Sequence, residues 1–241
     1  MRLDVFLCDQ GYASSRTEAK GYIVAGAVIV SGRVITKPSF DVTEGAEITV
    51  DRSSKKYVSR GGLKLEGALD GFGISAEGAL ALDVGASSGG FTDCLLQRGA
   101  AHVVAVDSGS GQLVDSVRYD KRVTVFENYN ARYMSRDDFN YEPELVVMDV
   151  SFISATLIMP AVFSCMKNDG DFICLVKPQF EVGRGGIGKG GIVKDEKRRR
   201  EALDNVISFA ATLGFEFINK MTSPIEGGDG NIEYLVHFKK R

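Results

Sequence analysis

Four charged residues border apolar runs in this 241-residue chain: Lys64 within GGLKLEGAL, Asp149 at the end of VVMD, Lys177 at the end of ICLVK, and Glu233 in the opening of IEYLVHF. A charge at the end of a buried strand sits at the edge of its sheet, where open α/β folds hold ligands. Two amines and two carboxylates gathered at such an edge can hold or pass a proton. Taken singly, Asp149, Lys177 and Glu233 are equally strand ends turned to solvent, and Lys64 reads as part of the first helix of the larger domain. The order Lys, Asp, Lys, Glu is what makes them a set.

A second constellation follows the run ALDV. Asp83 leads into Gly85, Ala86, Ser87, Gly89, Gly90 and Phe91, and further on Asp107 ends AVDSG. Glycines there permit a tight turn and close backbone approach to a ligand, and an acid at the end of the next strand can accept both ribose hydroxyls of a nucleoside cofactor. A dinucleotide and S-adenosylmethionine both meet that description. The turn is not GxGxxG, and its Asp-Val-Gly form is similar to the first motif of class I methyltransferases, which implies S-adenosylmethionine. In that class the stretch Glu127-Asn128-Tyr129-Asn130 falls where adenine is contacted, so Asn130 joins the expected cofactor residues. Gly183 to Lys189 reads GxxxxGK, but Gly190 stands where a P-loop needs Ser or Thr for magnesium. It reads instead as a loop that carries Arg184 and Lys189 and could close over a substrate.

These groups need a frame to position them. Apolar runs at Leu80–Val84, His102–Asp107, Val123–Glu127, Leu145–Asp149, Phe172–Val176, Phe215–Ile218 and Ile232–Phe238 alternate with helical stretches. That alternation predicts a doubly wound, Rossmann-like α/β domain over residues 61–241, its seven strands in a parallel sheet. Residues 51–60, polar and basic, read as a linker. Residues 1–50 read as a small α+β domain. Leu3, Phe6 and Leu7 have helical spacing, Ser15 with Glu18 starts a second helix, and a hairpin follows around Ser31-Gly32.

Composition excludes several classes. Hydrophobic residues are 44% and charged residues 25%, as in ordinary globular proteins. No apolar run approaches the roughly 20 residues of a membrane span, and the N-terminus lacks a signal-peptide core, so a cytoplasmic protein is expected. The four cysteines have no CxxC spacing and the two histidines are remote from them, so free thiols and no metal site are expected. Net charge is −3, yet residues 1–60 carry nine Lys/Arg against seven Asp/Glu while the remainder carries twenty against twenty-five. The excess of positive charge therefore lies at the N-terminal end.

The run MRLDVFLCDQGYASSRTEAKGYIVAGAVIVSGRVITKP resembles the S4-like RNA-binding domain, named for a small-subunit ribosomal protein. That resemblance implies docking on structured RNA by shape and phosphate contacts, with Arg2, Arg16, Lys20 and Arg60 as expected contacts. Together with GGLKLEGAL, LDVGASSGGFTD, MDVSFIS, LVKPQFE and GNIEYLV, the whole chain resembles the TlyA family, historically called haemolysin A. The resemblance implies an FtsJ-like catalytic domain, 2′-O-ribose methylation of ribosomal RNA at a cytidine, and Lys64, Asp149, Lys177 and Glu233 as the catalytic set. Lys177 would accept the hydroxyl proton, and Tyr57, Phe91 or Phe180 would stack a displaced nucleotide. Ribosomal RNA or a ribosomal subunit is then the partner, with one subunit or a homodimer both open. Three other readings are a non-catalytic ribosome assembly factor, from the historical name alone a membrane-lytic protein, and methylation of a base or a protein, which the paired lysines suit less well than hydroxyl activation.

Overall fold

The computed structural model describes residues 1–13, 15–24, 26–43, 45–50, 56–183, 187–227 and 230–241. They form two compact units, Met1–Arg60 and Gly61–Arg241.

In the smaller unit, helices α1 (Leu3–Asp9) and α2 (Arg16–Val24) pack together beside strands β1 (Val28–Val30), β2 (Arg33–Val34) and β3 (Ile48–Val50). The strands form an antiparallel sheet with β1 in the middle, Val28 opposite Val50 and Ile29 opposite Val34. Ser15 Oγ accepts the Glu18 N–H at 3.2 Å, satisfying one of the donors that a helix start leaves over. Leu3, Leu7, Ala19, Ile23 and Val28 are fully buried and make the core.

The larger unit opens with α3 (Gly61–Phe72) and then builds seven strands: β4 (Leu80–Val84), β5 (His102–Val106), β6 (Val123–Phe126), β7 (Leu145–Met148), β8 (Asp171–Val176), β9 (Phe215–Thr222) and β10 (Tyr234–Lys240). The intervening α-helices are α4 (Gly90–Gln97), α5 (Asp115–Arg118), α6 (Met159–Cys165), α7 (Pro178–Glu181) and α8 (Glu196–Leu213). Strand order is β6-β5-β4-β7-β8-β10-β9, so the order reverses between β4 and β7. All seven expected strands occur, and the four residues of β7 are buried, as the continuous apolar run of a doubly covered strand requires.

One expectation is corrected. The sheet is mixed, because β10 lies antiparallel between β8 and β9. The connection 223–233 carries no helix among its described residues, and strands joined without a crossover helix pair antiparallel. The reversal places the beginning of β10 at the edge where the parallel strands end. Asp149, Lys177 and Glu233 each stand one residue outside β7, β8 and β10 on that edge.

Packing behind the edge is dominated by aromatic rings. Phe172 stacks on Phe238 at 5.7 Å between centroids, and Phe215 meets Phe172, Phe163 and Phe238 within 5.9 Å. Helix α8 is closed at both ends, by Asp195 accepting the Lys197 N–H at 2.9 Å and by Gly214 in the left-handed region. All four cysteines are free thiols, and Cys94, Cys165 and Cys174 are buried. His102 bonds Thr124 Oγ1, and buried His237 stacks on Phe72 with Nε2 at 2.8 Å from Asp171. No helix among the described residues is long and apolar enough to cross a membrane.

Candidate active site

Four charged side chains from four distant segments meet in two pairs. Lys64 is on the second turn of α3, and its Nζ lies 2.5 Å from Glu233 Oε2, with both side chains buried. Lys177 Nζ lies 2.5 Å from Asp149 Oδ1 and donates a hydrogen bond to Ser151 Oγ at 2.7 Å. The pairs are neighbours through the sheet, since Val176 and Tyr234 are opposite each other on β8 and β10 and the charged residues follow at once on either side. A buried charge is tolerated when paired, and here each lysine has its own carboxylate.

Beside Asp149 and Ser151 a cleft of about 450 Å³ opens at the reversal of strand order, walled also by Gly85, Ser87, Asp107, Gly109, Tyr129 and Asn130. Gly85 has φ +87°, and a Cβ there would come within 2.4 Å of the Asp149 carbonyl, so backbone passes backbone with no room for a side chain. The Asp107 carboxylate accepts the Ser87 N–H at 2.8 Å and the Gly109 N–H at 2.7 Å. Each carboxylate oxygen retains a second lone pair, so two hydroxyls can still be accepted. Asn130 caps the following turn by accepting the Arg132 N–H at 3.1 Å. Glu127 accepts the Gly111 N–H at 2.9 Å and is engaged by Arg118 at 2.5 Å, which in that order hold its carboxyl below the ordinary range.

The remaining glycine-turn residues stand behind that wall. Ala86 and Phe91 are buried, and Gly89 and Gly90 start α4, where a Cβ on Gly89 would meet Leu113 at 2.8 Å. Asp83 is fully buried, with Oδ2 accepting from Thr92 Oγ1 at 2.6 Å. Burial pushes its pKa up to about 7 against the opposing Thr92 hydrogen bond, and the nearby Asp149 charge adds to the rise. Its side chain fixes the turn to α4 from inside.

The stretch Asp149 to Ala155 carries residues that the sequence did not single out. Phe152 is 92% exposed at the cleft wall and has φ +65°, a conformation unfavourable for a bulky side chain. Its ring lies 5.3 Å from that of Phe180. Glu181 accepts from Ser154 Oγ at 2.6 Å and from the Ala155 N–H at 2.8 Å, and burial raises its carboxyl above the ordinary range. Of the expected stacking residues, Tyr57 and Phe91 are buried and Phe180 is half-buried. An apolar Phe in sequence reads as core, and it is the exposure and backbone conformation in the fold that reveal Phe152.

In the N-terminal unit, Arg2 and Arg16 are both hydrogen-bonded to Asp4, while Lys20 is exposed on α2 and Arg60 is half-buried. Arg184 and the Lys189 side chain lie outside the described residues, as does the first half of the linker, residues 51–55. Among the described residues, no three His, Cys, Asp or Glu side chains gather as a metal site.

Comparison with known proteins agrees with this geometry. The FtsJ-like methyltransferase family model matches residues 57–240, and the S4 domain model matches residues 1–48. "Hemolysin A" of Brachyspira hyodysenteriae is 46% identical over 99% of both chains. The "16S/23S rRNA (cytidine-2'-O)-methyltransferase TlyA" of Mycobacterium tuberculosis is 44% identical over 98% of this chain and 88% of its own length. A solved structure from Streptococcus thermophilus, carrying a hemolysin name, superposes with a TM-score of 0.79 at 44% identity, covering 100% of this chain and 88% of that one. The Asp-Val-Gly turn, the lysine–carboxylate pairs and a match of this length lead to one statement: the chain belongs to the FtsJ-like methyltransferase family, in the TlyA group that carries an N-terminal S4 domain.

Proposed function

We propose that the chain transfers a methyl group from S-adenosylmethionine to the 2′-hydroxyl of a cytidine in ribosomal RNA, gripping the RNA with its N-terminal unit. The observation that carries this reading is the Lys177–Asp149–Ser151 cluster, two members of which wall the cleft at the switch of strand order.

The residues present suit the cofactor. Gly85 lines the cleft with backbone alone, Asp107 has lone pairs for a ribose diol, and the cleft volume is that of a small-molecule site. Asp107, Ser87, Gly85 and Asn130 would hold the nucleoside, with Asp83, Ala86, Gly89, Gly90 and Phe91 shaping the turn behind them. When bound, S-adenosylmethionine supplies an electrophilic methyl on a sulfonium and departs as a neutral thioether.

A ribose hydroxyl is a poor nucleophile until its proton is shared or lost. In its neutral form Lys177 accepts that proton at Nζ as the oxygen–methyl bond forms. The resulting ammonium is met at once by Asp149 and Ser151, which already touch Nζ, so its charge is stabilised where it develops. Lys64, held by Glu233, places a donor beside the same edge to orient the hydroxyl oxygen. Phe152, exposed at the cleft wall, offers a ring for the target base to stack upon. No metal is needed for this transfer.

The test is transfer of labelled methyl to ribosomal subunits, naked ribosomal RNA and protein controls, with mapping of ribose methylation. Label at a ribose 2′-oxygen is expected, and Lys177→Ala should abolish it while RNA binding persists. A folded, cofactor-binding protein that transfers nothing would support the assembly-factor reading. The hemolysin names describe the relatives that carry them.

A further inference from the structure

Arg2 and Arg16 stand on different elements and share one carboxylate. Arg2 Nε and Nη2 reach Asp4 Oδ1 at 2.9 Å and Oδ2 at 3.1 Å, and Arg16 Nη2 reaches Oδ2 at 2.9 Å. The Asp4 side chain is fully buried in the first turn of α1, whereas those of Arg2 and Arg16 are 48% and 58% exposed. Hydrogen bonds from Arg2 and then Arg16 hold the Asp4 carboxyl well below the ordinary range, so it is ionised at any working pH.

This arrangement exceeds what burial of one carboxylate requires. A single arginine bound in bidentate fashion already neutralises Asp4; Asp41 adds its charge on the Arg2 side, and Arg16 brings a second guanidinium that Asp4 does not need for neutrality. Arg2 Nη1 and Arg16 Nε and Nη1 make no hydrogen bond among the described residues. Lys20, one helical turn beyond Arg16, extends the same face. Arginine side chains are long and lose much rotamer freedom on binding, so arginines already fixed lose less.

We propose that Asp4 is the positioning residue of a phosphodiester-binding site formed by Arg2 and Arg16, its buried carboxylate holding both guanidinium groups ready for adjoining phosphates of RNA. The proposal rests on the reading that the chain acts on RNA, and adds to it a negatively charged residue that strengthens binding to a polyanion.

Charge alone and positioning predict opposite signs for one substitution. Asp4→Asn adds one unit of positive charge. If the arginines act as diffuse charges, the variant binds naked ribosomal RNA as tightly as the parent or tighter, with an equal or steeper dependence on salt. If Asp4 positions them, affinity falls roughly tenfold and the slope of log K against log salt decreases by about one, despite the added charge.

The experiment is salt-dependent binding of naked ribosomal RNA to the full chain, with cofactor affinity as a control. Weaker binding with a flatter slope is expected; equal or tighter binding overturns the proposal. Arg16→Lys is measured alongside, because it keeps the charge and leaves Asp4 paired with Arg2 should Asp4→Asn fold poorly. Several-fold weaker binding by Arg16→Lys is expected, and unchanged affinity overturns the proposal. Absence of RNA binding by the parent chain would instead sink the underlying reading.

Discussion

Lys177 and Glu181 stand four residues apart around the short helix α7, and between them they fasten both ends of one loop: Lys177 bonds Ser151 Oγ, and Glu181 accepts from Ser154 Oγ and the Ala155 N–H. Phe152 lies between the two fastenings, which is why its left-handed backbone persists.

Removing the second fastening with Glu181→Ala should therefore loosen the loop more than the core. Hydrogen bonds to a charged group contribute about 1.5–3 kcal/mol, and a loss of that order in urea unfolding is expected. Methyl transfer should fall at least tenfold while cofactor affinity, read by calorimetry, changes little. A variant with unaltered turnover would show that the loop needs only Lys177.

Phe152 itself should separate stability from activity. Phe152→Gly relieves the left-handed conformation, and stability is expected to stay level or rise by up to about 1 kcal/mol. Single-turnover methylation of RNA should nevertheless drop sharply. Full activity in the glycine variant would remove Phe152 from base recognition.

The Lys64–Glu233 pair is buried, so its members are unequal to their sum. Lys64→Ala leaves Glu233 buried and unpaired, and a cost of about 3–5 kcal/mol is expected. Lys64→Met combined with Glu233→Gln should restore most of that stability without restoring transfer. Denaturant unfolding of Lys64→Met, Glu233→Gln and the double variant reads the coupling directly.

Asp83 gives a stability difference that depends on pH. Its folded pKa of about 7 is raised above the unfolded value, so between about pH 4 and pH 7 the folded state binds the extra proton. The contribution is full below the unfolded pKa and is lost as pH rises toward 7, a change on the order of 4 kcal/mol. Relative to Asp83→Asn, the parent protein should lose stability across that interval. Parallel stability curves for the two proteins would show that Asp83 ionises normally.

Much of this was legible in sequence for physical reasons. Strands buried on both faces read as unbroken apolar runs, so β4, β5, β7 and β8 stand out, and the charges that end them mark the ligand edge. Direction is a different matter. An apolar run is the same read either way, so nothing in YLVHF told that β10 runs against its neighbours. Partnerships across the chain were equally hidden. Arg2 and Arg16 read as surface cations, and Asp4 as one more helix-start acid, until the fold placed the carboxylate between them. Phe152 and Glu181 were hidden for the same reason, because strain and loop anchoring are properties of the tertiary structure.

The place of β10 in the sheet also sets an order of assembly. As the chain emerges from its N-terminus, strands β4 to β9 are all synthesised before β10, yet β9 is joined to the sheet only through β10. Until that strand slips into the gap, Lys64 has no counter-ion and the edge of the cleft is unfinished. A folding intermediate in which that strand is not yet placed would thus carry a nearly complete cofactor cleft and the Lys177–Asp149 pair, but Lys64 without its carboxylate, so the arrangement proposed for the ribose hydroxyl would be completed only with the closing of the sheet.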